Sequence, residues 1–161
     1  MMNPRTPLIT VALLAAAAVP VAEGMTWVMD PFLTDSFLGK LSQHGVRSGM
    51  EDAGFTIVEG AEGDHPELIV GRRGDETVEY RFEGDQTVTI DYSDPLEPDE
   101  NAEELIYAWA GRFAEFYYDS EPTVTNDGAL MWDNSYGRFS LRLDDGATGR
   151  TIRIHIDWPE P

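Results

Sequence analysis

Twice along the chain, apolar side chains recur at every second residue, a period that suits a half-buried β-sheet and excludes a helix. Val78, Tyr80 and Phe82 alternate with Glu79, Arg81 and Glu83, and Val88, Ile90 and Tyr92 alternate with Thr87, Thr89 and Asp91. Towards the C-terminus, Phe139, Leu141 and Leu143 alternate with Arg138, Ser140, Arg142 and Asp144. After the turn DDGATG, Ile152, Ile154, Ile156 and Trp158 alternate with Thr151, Arg153, His155 and Asp157. Such runs predict antiparallel hairpins with one dry face and one wet face. Strands over Phe55–Val58, Glu67–Arg73, Glu76–Glu83 and Gln86–Tyr92 form a first set, with Gly74-Asp75 and Gly84-Asp85 as tight turns. Strands over Thr123–Thr125 and Ala129–Trp132, separated by Asn126-Asp127-Gly128, join the final hairpin as a second set.

Between the two sets the period changes to that of a helix. From Asn101 to about Tyr118, Leu105, Ile106, Trp109, Phe113, Phe116 and Tyr117 recur three and four residues apart and share one face. Asn101 and Glu104 have the spacing of a capping box, and Pro95, Pro98 and Pro122 bound the segment. A shorter helix is expected from Asp35, as N-cap, to about Ala53, closed by Gly54. The expected fold is therefore α+β: a largely antiparallel sheet, in two runs of about four strands, covered by a central amphipathic helix. A shorter helix and an N-terminal apolar segment precede it. At 161 residues, the chain has room for a single domain of this kind, over residues 25–161.

Residues Leu8–Ala22 are uncharged and apolar, with Arg5 before them and Glu23 after. This pattern reads as a secretory signal peptide over residues 1–24, cut at the small residues Ala22 and Gly24. An uncleaved membrane anchor and an ordinary buried helix are the alternatives. The run is shorter than the ~20 residues a spanning helix requires.

Thirty acidic residues face eleven basic ones, for a net charge of −19, and Lys40 is the single lysine. A surface of this sign repels phosphate backbones, so nucleic acid is not an expected partner. It suits a basic protein partner, or adaptation of the whole surface to high salt. The chain has no cysteine, which removes disulfides, thiolate metal sites and cysteine nucleophiles.

No nucleophile elbow, phosphate-binding loop, dinucleotide fingerprint or zincin motif occurs, and neither an enzymatic activity nor a cofactor is expected. His155 and Asp157 stand two residues apart on one wet face with Arg153 beside them. Asp157 there is a candidate orienting carboxylate for a histidine base, although cross-strand ion pairing is the commoner use of such residues. Arg81, Arg142, Arg153, His155 and Asp157 are the candidate binding residues, because arginine on a sheet face suits planar anionic partners. The acidic stretch before the central helix places Asp91, Asp94, Glu97 and Asp99 close in sequence. These are hard oxygen donors of the kind calcium or magnesium takes, though a solvated loop beside a helix N-terminus accounts for them as well.

The order of elements resembles small α+β binding folds such as immunity-protein-like and secretion-chaperone-like domains, a likeness of topology that by itself implies no function. The expected function is that of an exported or membrane-anchored, salt-adapted binding or accessory domain, touching the membrane only through its N-terminal segment. The alternative is a cytosolic interaction protein that binds a basic partner.

Overall fold

The computed structural model describes residues 31–60, 67–116, 121–135 and 137–158. The segment expected to be a signal peptide or anchor, residues 1–24, lies outside these. The fold is α+β, with three helices on one side of a single antiparallel sheet among the described residues. The helices are α1 (Pro31–Leu38), α2 (Gln43–Asp52) and α3 (Ala102–Phe116). The strands are β1 (Thr56–Glu59), β2 (Leu68–Arg73), β3 (Glu76–Glu83) and β4 (Gln86–Pro95), then β5 (Thr123–Val124), β6 (Leu130–Asn134), β7 (Gly137–Gly146) and β8 (Gly149–Asp157).

The two sets of strands form one continuous eight-stranded sheet in the order β1-β2-β3-β4-β8-β7-β6-β5. The chain runs through β1 to β4, returns across the dry face as α3, and re-enters the sheet at the far edge as β5. Three hairpin steps bring it back, so the last strand, β8, docks against β4 in the middle. Seven register pairs from Thr89↔Asp157 to Pro95↔Thr151 close that seam. In the turns, Gly74 and Gly84 take the positive φ values of 59° and 61° that a side chain would disfavour.

Aromatic rings join the helices to both halves of the sheet. Phe37 of α1 packs on Tyr92 of β4 and on Trp109 of α3, at centroid distances of 5.5 and 5.4 Å. Trp109 stacks on Phe113, which in turn meets Trp132 of β6 and Phe139 of β7, each at 5.5 Å. Pairs of this kind add ~0.5–1.5 kcal/mol each beyond the burial of their surface. The sheet's dry side is covered by all three helices, because Leu33, Phe37, Val46 and Met50 are buried alongside Leu105, Trp109 and Phe113.

The structure corrects the sequence reading at two places. The segment expected to be one helix from Asp35 is two, and the cap is Ser42, whose Oγ accepts the Gly45 N–H at 3.2 Å. Gly49 lies within α2 because a Cβ there would collide with the Phe32 ring of α1. The alternation on β4 also fails at its start. Arg81 pairs with Thr89 but Phe82 pairs with Thr87, so Val88 forms a bulge. Thr87 consequently turns inwards, fully buried, and its hydroxyl donates to the Leu41 carbonyl at 2.6 Å.

Candidate functional site

The wet face opposite the helices is ordered by strand register. One row across the sheet runs Glu79, Asp91, His155, Ser140 and Met131. The next row towards the β7–β8 turn runs Thr77, Ser93, Arg153 and Arg142. On the other side lie Arg81, Thr89, Asp157, Arg138 and Asp133. The first two rows, Met131 excepted, floor a half-open groove of about 610 Å³, walled at one end by Thr125 and Asp127 of the β5–β6 turn. That turn is held by the Thr125 hydroxyl, which donates to Asp127 and accepts the Ala129 N–H at 3.0 Å.

Of the five expected binding residues, Arg142, Arg153 and His155 line this groove. Arg81 and Asp157 belong to the same face but stand in the neighbouring row, where Arg81 pairs with Glu79. Arg142 and Arg153 are direct cross-strand neighbours. Asp144 lies against both, 3.0 Å from Arg142 Nε and 2.6 Å from Arg153 Nε. Asp127 approaches Arg142 Nη1 at 3.6 Å.

His155 Nδ1–H donates to Asp91 Oδ1 at 2.7 Å. That hydrogen bond holds the Asp91 carboxyl below its ordinary range, against the opposing effect of burial. The same bond raises His155 above the ordinary histidine value, with burial opposing and the nearby Asp91 and Asp157 charges adding to the rise. The carboxylate that orients His155 is therefore Asp91, across the β4–β8 seam, and not Asp157 on its own strand. Ion pairing between neighbouring strands, the commoner use of such residues, is what the face displays.

Asp91, Asp94, Glu97 and Asp99 do not converge. Asp91 points to the wet face, while Asp94 lies on the helix side at the end of β4. Burial raises the Asp94 carboxyl to about 6, and the Glu76 and Glu100 charges add to this. Tyr92 donates to Glu76 Oε1 at 2.8 Å, and burial pushes its own phenol well above its ordinary value. Glu100 turns back to accept the Glu97 N–H at 2.6 Å. Among the described residues no group of three or more His, Cys, Asp or Glu is placed to hold a metal ion. Trp132, in the middle of β6, and Trp158, just past β8, are buried in the core and do not line the groove.

Sequence reasoning did not single out Glu79, Thr77, Ser93, Thr125, Asp127 or Ser140 as members of the site. Strand alternation marks Glu79, Thr77 and Ser140 as outward-facing, yet only the β4–β8 seam assembles them into one groove. Comparison with protein-family models, with curated proteins and with solved structures gives no match.

Proposed function

We propose that this chain is an exported or membrane-anchored, salt-adapted binding domain whose recognition surface is the wet sheet face around Arg142, Arg153 and His155. One observation carries the reading. In a chain of net charge −19, two arginines and a histidine whose hold on a proton is raised collect in one groove, on the face that no helix of the described residues covers. Binding by a rigid sheet needs little reordering, because hairpins on both sides hold these side chains. The apolar run Leu8–Ala22 supports a position outside the cytoplasm. Among the described residues no helix is long and apolar enough to cross a membrane, so anchoring would rest on that N-terminal segment.

The test places a photo-crosslinking residue at Ser140, in the groove, and a control at Glu51, exposed on α2. Irradiation in cells followed by fractionation and N-terminal sequencing should give a discrete adduct from position 140 only, in the membrane or exported fraction. Equal labelling from both positions sinks the recognition surface. An intact Met1 in a soluble cytosolic pool sinks export.

A second reading rests on the helix side, where Glu97, Asp99, Glu100, Glu103 and Glu104 are all exposed around the start of α3. A cytosolic interaction protein would use this acidic patch against a basic partner. Its complex would lose affinity steeply with added salt and would crosslink from Glu103 in place of Ser140.

A further inference from the structure

The two groove arginines form an arrangement that the isolated protein does not explain. Like charges directly opposite one another on neighbouring strands destabilise a sheet, and Arg142 and Arg153 occupy such a pair. Asp144 offsets them only in part, because it takes the Nε edge of each guanidinium. Among the described residues the remaining fork of Arg153, its two Nη groups, makes no hydrogen bond. On Arg142 the Nη edge meets Asp127 at 3.6 Å. A well-made guanidinium–carboxylate hydrogen bond is about 2.7–2.9 Å long. Asp127 sits on an exposed turn at the sheet edge, and 62% of its side chain is open to solvent. Its carboxylate is held from the turn by the Thr125 hydroxyl and reaches the arginine tip only at long range, where a better-placed carboxylate would fit.

The surroundings favour the same ligand. Thr77, Ser93 and Ser140 line the groove beside the arginines and provide hydroxyl donors. A phosphate, with up to two negative charges, would meet Asp127, Asp144 and Asp91 at close range. A carboxylate carries one charge and matches the planar arginine fork.

Resting on the reading of this face as the recognition surface, we infer that Arg142 and Arg153 form a carboxylate-binding site, with Asp127 as an intramolecular occupant that the ligand displaces. Two sources supply such a group, a small free carboxylic acid and the C-terminus of a peptide. The groove suits the second at its far end, where Glu79 and Asp91 stand across the β4–β8 seam from the arginines. At ~4.8 Å between strands and ~3.4 Å per residue along them, Arg153 stands roughly 8 Å from Asp91 and roughly 12 Å from Glu79. An extended tripeptide spans about 10 Å and would carry its amino group to those acids.

The experiment is a titration of the full-length, isotope-labelled protein with acetate, triglycine and triglycine amide at fixed ionic strength. Amide and His155 ring resonances are followed by NMR. Saturable shifts of Ser140, Arg142, Arg153 and His155 with acetate or triglycine are expected, and none with the amide. Triglycine binding well ahead of acetate identifies a peptide C-terminus; equal affinities identify a free acid. Arg153→Lys keeps the charge and removes the fork, and should weaken binding about tenfold. Arg153→Ala should abolish it. Asp127→Asn, which preserves a turn-forming residue, should tighten binding several-fold by removing the competitor.

Saturation by the amide as strong as by triglycine, or no saturable shift with either acid, overturns the carboxylate assignment. So does unchanged affinity in both Arg153→Lys and Asp127→Asn. If the anions fail while Ser140 still crosslinks, the ligand class is wrong and the recognition surface stands. If position 140 gives no adduct and the acids bind, the groove holds a small molecule and no partner protein.

Discussion

Asp91 and Asp94 stand three residues apart on β4 and respond to the fold in opposite directions. On the wet face, Asp91 meets His155 across the strand seam and is held as a carboxylate. On the helix side, Asp94 is part-buried among Glu76, Glu100 and the Tyr92 ring, and is raised to about 6. The nearest cation there, Arg73, is engaged by Glu76 at 2.6 Å and by the Ala53 carbonyl at 2.9 Å. One face of the sheet is thus organised by mutual compensation of charges, and the other by apolar packing that tolerates an uncompensated acid at its rim. The wet face can exchange partners at small cost, since water replaces each lost contact. The helix side cannot, since nothing refills a space left there.

The harshest way to break this contrast is to remove a ring from the helix side. Phe113 is 1% exposed and touches Trp109, Trp132 and Phe139. Phe113→Ala should cost about 3–5 kcal/mol by urea denaturation, the usual range for a large aromatic replaced in a core. On the wet face, Arg138→Ala removes an exposed pair with Asp133, 2.9 Å long, and should cost less than about 1 kcal/mol. Comparable losses from the two substitutions would mean that the faces are not differently built.

Asp94→Asn sharpens the contrast with a change of sign. A carboxyl raised from 3.8 to about 6 takes up a proton on folding between those values. The native state is therefore progressively penalised as pH rises through that window, and the penalty is complete above pH 6. Asparagine removes it while keeping a polar group of the same shape beside Tyr92. At pH 7.5 the variant should exceed the parent in stability by about 1–2 kcal/mol, a figure reduced from the full shift because Asp94 retains contact with solvent. Denaturation at pH 5 should show about half that gain. A loss of stability at pH 7.5 would mean that Asp94 is compensated after all.

These two aspartates also mark where the sequence was legible. Alternation alone assigns Asp91, His155, Arg142 and Arg153 to wet faces, and hydrophobic spacing anticipates the residues of the core such as Trp109 and Phe139. Alternation does not say which strand lies beside which. The pairing of β4 with β8 joins residues 64 positions apart, and it alone makes Asp91 the partner of His155. A one-residue bulge likewise has no period to betray it: Thr87 turns inwards, and the Val88 carbonyl accepts the Trp158 N–H at 3.0 Å. The separation of α1 from α2 is a local capping event at Ser42, masked in sequence by apolar residues that continue across it. Asp91 and Asp94, close in sequence on β4, face opposite sides of the sheet, because residues an odd number apart along a strand point apart.

The smallest effect completes the comparison on β4 itself. His155 is raised, so its contribution is complete below the ordinary histidine value of ~6.5 and is lost as pH rises through its folded value. Asp91 is lowered, so its contribution is complete above ~3.9 and is lost only as pH falls through its folded value. The pair is therefore fully effective between those limits. Both side chains are about half exposed, at 47% and 52%, which holds the coupling to about 0.2–1 kcal/mol. A double-mutant cycle of Asp91→Asn and His155→Ala at pH 5.5 should return a coupling in that range. It should shrink as pH rises through the folded value of His155 and the imidazole loses its charge, and in molar salt, which screens exposed charge. Asp91→Asn is then a loss that fades as pH rises, whereas Asp94→Asn is a gain that grows. Effects of opposite sign from the same substitution three residues apart arise because the strand delivers the two side chains to different environments, so effects of the same sign would refute the placement of either aspartate.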